Sequence, residues 1–211
     1  MELFGVQRMN AIKWNRALYM LLGIVALTSV VKWFVGEQQF TFKFIMDCIG
    51  TSATVITAIS CVFCKTAWKW GIFRNWLIMV PDLNGAWEGV LESDWIDPDT
   101  NEKIAPINAT LTIRQTLFRV SCLLVTGESS SRSISSEFII DPDSETCKLV
   151  YTYQSDPNQI LQDRSRIHYG TAVLNVKGTP ANKLLDGDYW TGRRTSGHMN
   201  FRRKSESNGE A

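Results

Sequence analysis

The stretch DGDYWTGRRTSGH, Asp186 to His198, gathers Trp190, Arg193, Arg194 and His198 around one tight turn. Guanidinium forks grip phosphate oxygens two at a time, and aromatic faces stack on nucleobases. Upstream, alternation along CKLVYTYQ puts Leu149, Tyr151 and Tyr153 on one face of a strand. The same reading of RSRIHYGTAVLNV puts Ile167, Tyr169, Thr171 and Val173 on one face, taken as the inward one, and His168 on the other. An enclosed space with tyrosines, a tryptophan and paired arginines suits a planar, anionic ligand. Each residue alone has a plainer reading, since a buried Tyr is usually core and an Arg pair in a turn is usually solvated. The coincidence of the two classes carries the expectation.

Catalysis finds little support. The chain has two histidines, no Gly-x-Ser-x-Gly and no phosphate-binding glycine loop. The pairs Asp97/Asp99 and Asp141/Asp143 sit in DPD sequences that turn chemistry explains. Cys61 and Cys64 have Cys-x-x-Cys spacing without further ligands nearby. The expectation is a binding protein, not an enzyme, with no metal and no cofactor.

The binding residues need a frame, and the last 130 residues supply strands. Eight candidates run roughly over 84–95, 106–116, 118–127, 132–141, 147–154, 165–177, 185–192 and 197–204, most of them separated by turn sequences. Short links favour an antiparallel up-and-down meander, and eight strands close into a small lipocalin-like barrel with room for one small ligand. The opening strand DLNGAWEGVLES puts Gly85, Trp87 and Gly89 on one face, so the indole can plug one end of the barrel. Lipocalin-like barrels also begin with Gly-x-Trp, the Trp packing on an arginine of the last strand, where Arg202 and Arg203 are available. This domain is expected over 81–204, with a disordered tail at 205–211.

The first 80 residues read as membrane. ALYMLLGIVALTSVV carries no charge, and the stretch 17–35 spans a hydrocarbon core if Lys32 snorkels. A second span is expected at about 46–64, around the uncharged run Cys48–Cys64. Gly50, Thr54, Ala58 and Cys61 form a stripe of small side chains on it, suited to close helix packing either against the first span or between copies. The connector KTAWKWGIFRNWLIMV looks like an amphipathic helix on the membrane surface, or a continuation of the second span.

Charge sets orientation. Residues 1–80 carry eight Lys/Arg against three Asp/Glu, and residues 81–204 carry fourteen against sixteen. The cations flank the two spans on their outer sides, which places both termini in the cytoplasm. A net charge of +1 argues against a general nucleic-acid binder. Five irregularly spaced cysteines do not form a secreted disulfide framework.

Two spans, a tryptophan-rich connector, DLNGAWEG and the closing GDYWTGRRTSGHMNFRRK together resemble one family. It is the two-transmembrane, β-strand-rich effector family of bacterial CBASS anti-phage systems, the CD-NTase-associated cyclic-dinucleotide-sensing barrels. The resemblance implies that the barrel binds a cyclic dinucleotide made by a cognate nucleotidyltransferase. It further implies homo-oligomerisation and disruption of the inner membrane, leading to abortive infection. It carries Gly85, Trp87, Trp190, Arg193 and Arg194 over as motif residues; Tyr151, Tyr153 and Tyr169 rest on alternation. A membrane-anchored carrier of an apolar ligand, or a scaffold without ligand, remains the alternative.

Overall fold

The computed structural model describes residues 12–36, 41–74, 76–96, 100–141, 144–158, 166–179 and 182–204. Asp97, Asp99, Asp143 and the tail 205–211 lie outside them. The chain divides into two compact units between Pro81 and Asp82.

The N-terminal unit is a helical hairpin, α1 (Trp14–Val35) and α2 (Phe42–Lys65), each long and apolar enough to cross a membrane. Hydrogen bonds and a ring contact join the pair. Thr28 and Ser52 share a hydroxyl hydrogen bond of 2.6 Å, Lys32 Nζ donates to the Asp47 carbonyl at 2.7 Å, and Trp33 meets Phe44 edge-on. Cys48 and Ser52 are buried on the face of α2 turned to α1, whereas Gly50, Thr54, Ala58 and Cys61 are exposed. The small-residue stripe therefore does not serve the hairpin.

The connector departs from the expected amphipathic α-helix. It forms two 3-10 turns, Ala67–Lys69 and Gly71–Phe73, with Trp70 extended between them. Gly71 and four large aromatic residues (Trp68, Trp70, Phe73, Trp76) make the segment a poor helix former, whatever its apolar spacing suggests.

The second unit is a closed antiparallel barrel with strands in chain order. These are β1 (Gly85–Ser93), β2 (Ile107–Gln115), β3 (Val120–Thr126), β4 (Ser129–Asp141), β5 (Thr146–Pro157), β6 (His168–Gly178), β7 (Lys183–Thr191) and β8 (Ser196–Arg203). All eight expected strands are present, and β8 closes on β1 from Trp87↔Arg203 to Ser93↔Gly197. The β3–β4 ladder holds only three residue pairs before β4 bulges at Ser133/Ser135. Beyond the bulge, serine hydroxyls replace the ladder: Ser133 Oγ accepts from the Cys122 amide, and Ser136 Oγ donates to the Val120 carbonyl.

The chain enters the barrel at one end and plugs it. Leu83 is wholly buried, its amide donating to Gln115 Oε1 and its carbonyl accepting from Trp87 Nε1. Lys183 Nζ donates to the Asp82 carbonyl at 2.6 Å, and the Asn84 side chain bonds both the amide and the carbonyl of Gln115. Trp87 faces inward, as its spacing between Gly85 and Gly89 predicts. The Arg203 guanidinium caps its ring, choosing between the two arginines offered by the sequence.

Candidate functional site

The barrel interior has two parts. Toward the entry end, Trp87, Leu111, Leu149, Leu174, Leu185, Met199 and Phe201 are all 0 % exposed, so no water-sized void touches them. Tyr151 belongs to this core. Its hydroxyl donates to the Met199 thioether at 3.9 Å, and burial drives its pKa well up. Cys122, in the same layer, is pushed up to about 12 by burial and is an inert thiol.

Toward the far end the lining turns polar. Tyr153, Ser131, Ser155 and Tyr189 face inward there, each 4–8 % exposed. Ser131 lies directly across the ladder from Ser155, and Ser133 across from Tyr153. Glycine makes the room for both rings. A Cβ on Gly170 would lie 2.5 Å from Tyr153 Cζ, and one on Gly197 would lie 2.7 Å from Tyr189 Cε1. Burial raises the pKa of Tyr153 to about 12 and that of Tyr189 above its ordinary value, so both remain hydroxyl donors.

Gly170 also explains a correction. The inward positions of β6 are Gly170, Ala172 and Leu174, and Tyr169 points outward at 58 % exposure. Both parities of that strand are apolar enough to pass for core. The Tyr153 ring decides between them, because only glycine fits beneath it on the paired strand. Trp190 likewise points outward, at 50 % exposure, while its neighbour Tyr189 points in. Alternation from Leu185 through Gly187 carries the signal for Tyr189, a lining residue absent from the expected set.

The expected binding residues thus fall into two sets. Trp87, Tyr151 and Tyr153 lie inside the barrel, the first two in its packed half. Tyr169, Trp190, Arg193 and Arg194 lie together outside, on the far rim. Thr171 pairs with Trp190, and the Tyr169 carbonyl accepts from the Gly192 amide at 2.8 Å, which ties the arginine turn to β6. The turn is fixed further by a Thr191–Thr195 hydroxyl bond of 2.7 Å and by Arg194 at φ 62°.

Beside that turn a groove of about 490 Å³ opens between the β1–β2 loop and β7–β8, within the usual range for small-molecule sites. Tyr189 and Trp190 wall it, and Glu92, Asp94, Asp188, Lys103 and His198 supply charge. Two of the carboxylates already have partners: Asp94 meets Lys103 at 3.8 Å, and Asp188 meets His198 Nδ1 at 2.9 Å. The groove offers aromatic faces and carboxylate acceptors, and the Arg193–Arg194 turn lies next to it in the chain without lining it; such groups can stack on bases, accept from amines and bind phosphates.

The family described as the Cap15 cyclic dinucleotide receptor domain matches residues 78–203, more than half of the chain. The chain belongs to that family. The match covers the whole barrel, from before the Leu83 plug to Arg203. The chain is also similar to the CD-NTase-associated protein 15 of Staphylococcus schleiferi. The two are 26% identical over 190 residues, which cover 90% of this chain and 92% of that protein. That second similarity takes in the helical hairpin as well as the barrel.

Proposed function

We propose that this chain is the membrane-bound effector of a CBASS anti-phage system, activated by a cyclic dinucleotide from a cognate nucleotidyltransferase. The ligand sits at the far end of the barrel. Trp190 and Tyr169 offer stacking faces, Tyr153 and Tyr189 line the entrance from within, and Arg193 and Arg194 take the phosphates. Trp87 and Tyr151 support the site from the core. The helices α1 and α2 hold the protein in the bacterial inner membrane, both termini in the cytoplasm, where the messenger is made.

Activation is a shift in assembly. A ligand moves the equilibrium only if it binds the assembled form better than the single copy. The small-residue face of α2, left open by α1, offers neighbouring copies a close-packed contact. Assembled helices then disrupt the bilayer and arrest the infected cell.

The observation that supports this most strongly is the coincidence, on one rim of a receptor-family barrel, of aromatic rings, a rigid di-arginine turn and a ligand-sized groove. The test is the thermal midpoint of the barrel in the full chain, with and without a panel of cyclic dinucleotides. A ligand bound only by the folded form raises it. Arg193→Ala with Arg194→Ala is expected to remove the shift while leaving the unliganded midpoint in place. Alanine keeps the Cβ that Arg194 already carries, so the turn gains no new strain. Ligand affinity unchanged in the double variant would remove these residues from the site, and no shift across the panel would favour a carrier or scaffold.

A further inference from the structure

The plugged end of the barrel carries a feature that the ligand reading does not use. The turn between β2 and β3, residues 116–119, presents Phe118 at 54 % exposure, while its neighbour Leu117 is buried. The turn is tight: the Thr116 amide donates to the Arg119 carbonyl at 2.8 Å, and the Arg119 amide donates to Thr116 Oγ1 at 3.1 Å. It begins at Gln115, the residue that holds Leu83 and Asn84, so it stands beside the point where the chain arrives from the helical hairpin. Arg114 on β2 and Arg119 in the turn are exposed at this end, with no carboxylate within 4 Å among the described residues.

An aromatic ring held out on a tight turn, with Arg114 and Arg119 exposed beside it, is the pattern of an interfacial membrane contact. The ring partitions among headgroups, and the cations meet acidic lipid phosphates. We propose that the β2–β3 turn is a second membrane-binding surface, with Phe118 as the inserting side chain and Arg114 and Arg119 as its headgroup ligands. The occupant is a lipid surface for two reasons on the molecule itself. The patch adjoins the strand end to which the membrane segment is covalently joined, and its charge is opposite to that of acidic lipids. Such a contact would leave the far rim, with its groove and arginine turn, open to a dissolved ligand. The proposal rests on the reading of α1 and α2 as membrane anchors.

The experiment uses the full chain in phosphatidylcholine vesicles, with and without phosphatidylglycerol, and a photoreactive p-benzoylphenylalanine at position 118. A second chain carries the same group at Ile167, exposed near the opposite end of the barrel. Lipid adducts are expected from position 118, more of them with phosphatidylglycerol, and fewer when Arg114→Ala and Arg119→Ala are added. Position 167 is expected to give none. Equal adducts at both positions, or protein adducts alone at 118, would overturn the contact while leaving the anchor and the ligand reading standing. A chain stripped from the vesicles by alkaline carbonate would sink the anchor and this contact with it.

Discussion

The Arg203 guanidinium carbon lies 5.8 Å from the centre of the Trp87 ring, while the indole Nε1 donates to the Leu83 carbonyl at 3.0 Å. Arg203 also donates to the Asn84 carbonyl. One side-chain pair therefore joins the last strand to the first and locks the arriving chain into the barrel floor. Trp87→Phe keeps most of the bulk but strands a buried carbonyl, at a cost of about 1–3 kcal/mol. Arg203→Ala is expected to cost less, about 0.5–1 kcal/mol, because its cation–π contact is exposed. Urea midpoints at constant slope measure both. An unchanged midpoint for Trp87→Phe would remove the indole bond from the closure.

Gly170 and Tyr153 form a second matched pair. A methyl group on Gly170 meets the Tyr153 ring and also lies 2.9 Å from the Trp190 carbonyl. Gly170→Ala should destabilise the barrel by about 1–3 kcal/mol through overpacking. Combined with Tyr153→Ala, the two losses should sum to less than their separate values, with a coupling of about 0.5–3 kcal/mol. Simple additivity in that double-mutant cycle would mean that the ring is not what excludes a side chain at position 170.

The small-residue face of α2 makes a prediction about assembly. Gly50 is exposed and nothing lies within 4 Å of a Cβ placed on it, so the single chain leaves open space at the start of an added Gly50→Ile side chain. Between copies it should weaken packing by about 1–2 kcal/mol, roughly tenfold in association. Cross-linking of membranes after ligand addition should show shorter ladders and less toxicity, with ligand binding to the barrel intact. Full assembly in this variant would assign the contact to another face.

The sequence carried the frame more clearly than the site. Period-two alternation and turn residues are local signals, and all eight strands follow from them within a few residues. The Gly85–Trp87–Gly89 spacing and the arginines of the last strand likewise announce the closure. Which face of a strand turns inward is a property of pairs of strands. Gly170 is inward because Tyr153 is opposite, and Tyr169 is outward as a result, although nothing in RSRIHYGTAVLNV marks it. The connector failed for a related reason: Trp68, Ile72, Trp76 and Val80 have helical spacing, but spacing does not repay the poor helix propensity of Gly71 and its aromatic neighbours. The hydroxyl pair Ser131 and Ser155 was invisible because serines in an exposed and a lining strand look alike until register brings them face to face.

His198 sets the pH dependence of the far rim. Its Nδ1 meets Asp188 and its Nε2 meets Asp186, each at 2.9 Å, and Glu92 faces it across the β1–β8 ladder. The Asp188 bond is the main cause that raises its pKa above 6.5, with Asp186 adding and partial burial opposing. Asp186 is itself held below 3.8, chiefly by its bond to Lys177 and then by His198 and Asn200. Because the folded value of His198 is the higher one, its contribution to stability is complete below 6.5 and fades as pH rises through the raised value. Asp186 acts the other way: its contribution is complete above 3.8 and is lost only as acid takes the pH down through its lowered value. From about pH 6.5 up through its raised value the imidazole therefore governs this cluster. The wild-type midpoint should fall across that window, and His198→Gln should flatten the fall while leaving the acid limb set by Asp186. A slope unchanged in His198→Gln would place the titrating group elsewhere.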